Sequence, residues 1–173
     1  MVIVGFQRDR SLKSRLIRWI TMGEWSHVWI EYNDKLWGGD WIAEANERGV
    51  EVIPLERAPK KGELLLYIAK NWNIDPGFRV AKDFVGTDYD WLSVIWNGIL
   101  LIVFRFTGWM WIWNKVLRDS SKATCSEFVA TIIKGSRMPG TEKMDPELTT
   151  PGKLQKFCES SSFFFPVIRR GVS

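Results

Sequence analysis

The spacing of apolar positions changes along this chain, and each change marks a different element. Met1 to Phe6 is a short apolar run that reads as a strand. Ser11 can then cap a helix whose Leu12, Leu16, Ile17 and Ile20 fall on one face, with a stop near Met22-Gly23. From Ser26 the period becomes two, with His27, Trp29 and Glu31 alternating against Val28, Ile30 and Tyr32. Asn33-Asp34 makes a turn, Lys35-Leu36-Trp37 can return as the partner strand, and Gly38-Gly39 breaks the run. Trp41 to Ala45, Val50 to Leu55 and Glu63 to Ala69 supply further strands. The first half therefore predicts a mainly antiparallel sheet.

Helical spacing takes over afterwards. Asp75-Pro76 is a cap followed by proline at the first helical position, with Phe78, Ala81, Phe84 and Val85 on a face that ends at Gly86. Cys125 opens a helix whose Phe128, Val129, Ile132 and Ile133 form an apolar face. Thr150-Pro151 starts a last helix running through Phe157 and Cys158, and Phe163 to Val167 reads as an edge strand. Between these lies the most apolar stretch, Trp91 to Trp113. A spanning helix wants about 20 predominantly apolar residues, and Asn97 and Arg105 interrupt this one. A helical, partly exposed apolar element is expected there, not a membrane span. The fold class predicted is α+β, a sheet from the N-terminal half packed with helices from the C-terminal half, in one domain covering residues 1–173 with an apolar, Trp-rich insert at 91–113.

Composition narrows the function classes. Two cysteines among 173 residues are too few for a disulfide framework, and the N-terminus lacks a secretory pattern, so a reducing cytoplasm is expected, with peripheral membrane contact left open. A net charge of +4, its basic residues clustered at Arg57 to Lys61 and Arg169-Arg170 and otherwise mixed with acids, defines no nucleic-acid stripe; these clusters read as solvated surface. One histidine, two distant cysteines and no Cys-x-x-Cys leave no metal-ligand spacing, and no cofactor is predicted. Ten of the eleven tryptophans crowd the first quarter and the 91–113 stretch, where they can pack a core, wall a pocket or meet a lipid surface. Trp25 is the ring expected to contact substrate.

The candidate chemistry rests on the lone His27 and on Cys125, the two parts that a thiol nucleophile and its base require. A helix N-terminus and a neighbouring imidazolium both stabilise thiolate. The Cys125 amide can also donate to a tetrahedral oxyanion. Three carboxylates, Glu44, Glu31 and Glu47, compete to orient the imidazole. Glu44 has the better position, on a different strand from His27, from which a cross-strand neighbour can reach the ring. Cys158 is expected to be structural.

In order, Ser26-His27-Val28, Ala43-Glu44-Ala45 followed by Gly49-Val50 and Pro54-Leu55, Tyr89-Asp90, Cys125-Ser126-Glu127-Phe128-Val129 and Thr150-Pro151-Gly152-Lys153-Leu154 resemble the circularly permuted NlpC-like papain-fold enzymes, in particular the YiiX/YaeF branch. The order His, acid, Cys is the permuted one, since ordinary papain-like enzymes place Cys first. The resemblance runs from about Val2 to Leu154. It implies a circularly permuted papain-like fold with Cys125 as nucleophile, His27 as base and Glu44 as orienter. It departs at the first strand, where the family's Gly-Asp pair is replaced by Gly5-Phe6-Gln7, and in the length of the apolar stretch before Cys125. The activity implied is a cysteine peptidase or amidase working through an acyl-enzyme on a peptide or amide substrate. The alternatives are an acyltransferase or lipid esterase acting on an acyl lipid, and a non-catalytic, membrane-associated binding protein.

Overall fold

The computed structural model describes residues 1–34, 38–58, 60–89 and 123–171. The elements run β1 (Val2–Arg8), α1 (Leu12–Thr21), β2 (His27–Asn33), β3 (Asp40–Asn46), β4 (Gly49–Pro54), β5 (Glu63–Ala69), α2 (Asp75–Ala81), α3 (Cys125–Gly135), α4 (Pro151–Ser160) and β6 (Phe164–Gly171). Single 3₁₀ turns follow β4 and α2 and precede α4. The fold class is α+β, as the alternation of periods predicts. The strands form one six-stranded antiparallel sheet in the order β4-β3-β2-β1-β5-β6.

Period-two alternation splits this sheet into two unlike faces. Val2, Val4 and Phe6 of β1, Val28 and Ile30 of β2, and Ala43 and Ala45 of β3 share the main core with Phe128, Val129, Ile132 and Ile133 of α3 and Leu154 of α4. Trp29 and Ile42 point the other way and bury with Ala58 against Ile53, Leu55, Leu64 and Leu66. His27 and Glu44 alternate in step with Trp29 and Ile42, so both belong to this second face. At the far edge, β6 shifts register between Leu66 and Tyr67, where Pro166 has no N–H to give the ladder.

Two glycines permit close approaches that position the site. A Cβ on Gly5 would stand 2.2 Å from Cε2 of Trp29, so only glycine lets that indole lie flat across β1. A Cβ on Gly77 would stand 2.1 Å from the Ile132 carbonyl oxygen, so α2 and α3 meet backbone to backbone.

Several elements differ from their sequence expectations. The apolar positions of α1 do not form one buried face: Ile20 is buried, but Leu12 and Leu16 are exposed. The helix is instead oriented by a polar anchor, Ser14, whose Oγ lies 2.7 Å from Ser26 Oγ and accepts from the Asp9 amide. Asp75 is the first residue of α2 and not its cap; Ile74 holds the cap position without a side-chain bond, and the Asn73 side chain just before it accepts from the Asp75 amide. The α2 helix ends at Ala81, short of Gly86. Lys35-Leu36-Trp37, read as a returning strand, and the insert at 91–113 lie outside the described residues; the strand that follows β2 and pairs with it is β3.

Gly5→Ala is expected to force the Trp29 ring aside and to lower stability by about 1–3 kcal/mol, the usual penalty of overpacking. At about 2–4 °C per kcal/mol for a chain of this size, the melting temperature should fall by roughly 2–12 °C in a calorimetric scan.

Candidate active site

Cys125 is the first residue of α3, and its local sequence fixes that start. Thr124 caps the helix by accepting from the Glu127 amide, while the Glu127 carboxylate accepts from the Thr124 amide, a reciprocal capping box. The first amides of a helix have no intrahelical acceptor, so the Cys125 N–H is available to a ligand atom. The bridge from Tyr89 to Ala123 brings Tyr89 beside the chain entering α3, and its hydroxyl donates to Cys125 Sγ at 3.9 Å.

His27 opens β2, and Glu44 is the cross-strand partner of Trp29. His27 and Glu44 are thus diagonal neighbours on one sheet face, a separation that long side chains span. The His27 Nε2 lies 2.6 Å from Glu44 Oε2. That leaves Nδ1 unengaged by Glu44, and the Cys125 thiol lies near enough to the ring for each to shift the other's titration. The structure therefore brings Cys125, His27 and Glu44 into one chain of contacts. Of the competing carboxylates, Glu31 accepts from Trp29 Nε1 at 2.7 Å and Glu47 pairs with Lys13.

Lys60 is the residue that sequence reasoning missed. Its Nζ lies 2.5 Å from the same Glu44 oxygen that holds His27, and 4.9 Å from the centroid of Trp29. The Trp29 ring also stacks on His27, with centroids 5.9 Å apart and planes 26° apart. Lys60 belongs to the basic run read as solvated surface, yet its side chain is only 12% exposed. No periodicity marks it, because it lies between β4 and β5 and only the fold carries it to Glu44.

The electrostatics follow from these contacts. Burial opposes a charge on His27, but its hydrogen bonds to Cys125 and Glu44 outweigh this and raise its pKa to about 9. Burial likewise disfavours the Glu44 carboxylate, and the bonds from His27 and Lys60 prevail, lowering it to about 2. Burial pushes the Cys125 thiol up, while His27, the Val28 amide and the Tyr89 hydroxyl together bring it below its ordinary value. The arrangement favours a thiolate–imidazolium pair.

Trp25 is placed elsewhere. It is wholly buried, tilted against Phe6 in the main core, and borders a cavity of about 360 Å³ with Tyr67, Cys158 and Phe164 rather than with His27, Glu44 or Lys60. The ring expected to contact substrate thus stands in the core, on the wall of that cavity and away from His27 and Glu44. Cys158 is also buried, and burial beside Glu159 pushes its thiol well above the usual range, which suits a packing residue.

The chain has a YiiX-like α+β fold. It superimposes on the crystal structure described as metalloprotein yiiX from Escherichia coli O157:H7, DUF1105, with a TM-score of 0.56 over 98% of this chain and 97% of that one, at 16% sequence identity. No family model and no curated protein matches it by sequence. The description of that neighbour as a metalloprotein raises the question of a metal here. Among the described residues no cluster of three or more His, Cys, Asp or Glu side chains is placed to hold one. The Glu44 oxygen nearest His27 is moreover occupied by the Lys60 ammonium, which would repel a cation. Among the described residues, the donors around Glu44 do not fit a metal centre. Among the described residues, no helix is long and apolar enough to cross a membrane.

Two outcomes test the electrostatics. The lowered thiol keeps thiolate present below its ordinary titration, and the raised imidazole keeps its proton up to about pH 9, so the ion pair occupies the window between. Alkylation of Cys125 by iodoacetamide should therefore persist well below the unperturbed cysteine pKa of about 8.5, and His27→Ala should move its acid limb upward. Because Lys60 helps hold the Glu44 carboxyl down, Lys60→Met should raise that pKa, read from the carboxyl ¹³C shift against pH.

Proposed function

We propose that this chain is a thiol-dependent hydrolase of the circularly permuted papain-like kind, an amidase or peptidase that forms an acyl-enzyme at Cys125. The observation that carries the reading is His27, held by Glu44 through Nε2 at 2.6 Å, with the Cys125 thiol beside the ring and each shifting the other's titration. A thiol and a base beside it, the base itself oriented by a third group, are what nucleophilic acyl transfer requires.

In the first half-reaction the Cys125 thiolate attacks the substrate carbonyl carbon, and the electron pair displaced onto oxygen is met by the Cys125 N–H. As the tetrahedral intermediate collapses, the His27 imidazolium gives its Nδ1 proton to the departing amine, leaving a thioester. In the second, neutral His27 takes a proton from water as the oxygen attacks the thioester carbon. Collapse then releases the acid and restores thiolate and imidazolium. Glu44 keeps the ring in register throughout, and Lys60 keeps Glu44 ionised.

Intact-mass measurement after exposure to a panel of aminoacyl and fatty-acyl electrophiles should show one acyl group retained on the protein. Cys125→Ala should abolish the adduct while Cys158→Ser leaves it unchanged. Glu44→Gln should slow acylation by a factor on the order of 10²–10⁴, the usual weight of an oriented general base. A full rate in Glu44→Gln would overturn the assignment of the orienter, and an adduct surviving Cys125→Ala would overturn the nucleophile. Preferential retention of fatty-acyl groups would shift the substrate from amides to acyl lipids.

A further inference from the structure

Helix α1 presents to solvent the residues an amphipathic helix ordinarily buries. Leu12 is 80% exposed, Leu16 50% and Trp19 63%, and their spacing of four and three residues aligns them on one face. Met22, which ends the helix in a left-handed conformation, is exposed beyond them. Ser14, on the opposite face, is buried, and so is Ile20 in the last turn.

Charge sets the chemistry of whatever covers this face. No acidic residue occurs between Leu12 and Thr21, while Arg10, Lys13, Arg15 and Arg18 lie on or beside the helix. Among the described residues Arg10 and Arg15 make no ion pair with a carboxylate, and Arg18 spends its guanidinium on the backbone carbonyls of Ser14 and Asp9. Lys13 pairs with Glu47, but both side chains are more than half exposed, so solvent screens that pair. The nearest acids at the helix ends are engaged locally: Asp9 accepts from the Ser11 amide, and Glu24 from Arg8.

We propose that α1 is a docking helix for an anionic lipid surface, its Leu12, Leu16 and Trp19 entering the acyl boundary while its arginines meet the phosphates. A short helix with an aliphatic and indole face flanked by cations has the composition of an interfacial helix, and indole favours the boundary between headgroup and hydrocarbon. A second copy of the chain would bring the same four cations against themselves, which disfavours a dimer through this face. The geometry also links the surface to the site. Ser14, on the inner side of α1, is in contact with Ser26, the residue before His27, so the docking helix is the element that joins the lipid surface to the His27 end of β2. The proposal does not depend on thiol chemistry, and the Cys125→Ala protein should dock equally well.

Co-sedimentation of the full chain with phosphatidylcholine vesicles, with and without phosphatidylserine, tests this directly. Binding should be stronger by about tenfold or more when phosphatidylserine is present, and should weaken in high salt. Leu16→Ser with Trp19→Ser should remove it, as should Arg10→Glu with Arg15→Glu, a charge reversal at exposed positions. Unchanged circular dichroism and iodoacetamide labelling of Cys125 would show that these variants remain folded. Equal binding to both vesicles, binding undiminished in both variants, or a concentration-dependent dimer that the α1 substitutions dissolve without any vesicle binding, would overturn the proposal.

Discussion

The structure depends on how one buried carboxylate is paired. Glu44 is 2% exposed, and a carboxylate so placed persists as an ion only if its desolvation is offset by partners. Its two partners reach the same oxygen, His27 and Lys60. Extending the contact outward gives an alternating row: Cys125 thiolate, His27 imidazolium, Glu44 carboxylate, Lys60 ammonium. The row sums to zero charge. Lys60 enters this row through Glu44, whose charge it helps to hold.

The support of that row is steric. Trp29 lies under both His27 and Lys60, giving the imidazole a flat surface and the ammonium a ring face, and its own N–H is satisfied by Glu31. The indole can occupy that position because Gly5, its cross-strand partner on β1, has no side chain. A glycine on one strand therefore sets the height of the histidine on the next. On the other side, the capping box at Thr124 and Glu127 pins the first turn of α3, so the thiol is held from a rigid element and not from a loop.

Most of the framework was legible because it is periodic. Strands β1 to β5 and helices α3 and α4 announce themselves by alternation, capping residues and apolar spacing, and the order of His27, Glu44 and Cys125 suggested their meeting. What stayed hidden depends on long-range placement. Lys60 carries no pattern of its own, and its burial follows from the path between β4 and β5. Trp25 adjoins Ser26-His27 in sequence but falls into the core beside Phe6, because adjacency along a chain that is entering a strand says little about which side of the sheet a ring will reach.

The orientation of α1 is the clearest case of a polar contact prevailing over apolar spacing. Counting hydrophobic positions assigns Leu12 and Leu16 to the interior, yet Ser14, with one hydrogen bond to Ser26 and another from the Asp9 amide, occupies the inner face. A buried hydroxyl left without partners costs about 1–3 kcal/mol, comparable to the gain from burying a leucine at about 1.5–3 kcal/mol. Rotating the helix to bury Leu12 and Leu16 would break both bonds at Ser14 and also move Ser26, which hydrogen-bonds the Gln7 carbonyl directly opposite the His27 backbone. The fold keeps the histidine's strand in place and leaves the apolar stripe outside. An exposed stripe that persists because the strand carrying His27 requires its helix to face the other way is a constraint of that strand, and it leaves a surface on which partner recognition can be built at no cost to the core.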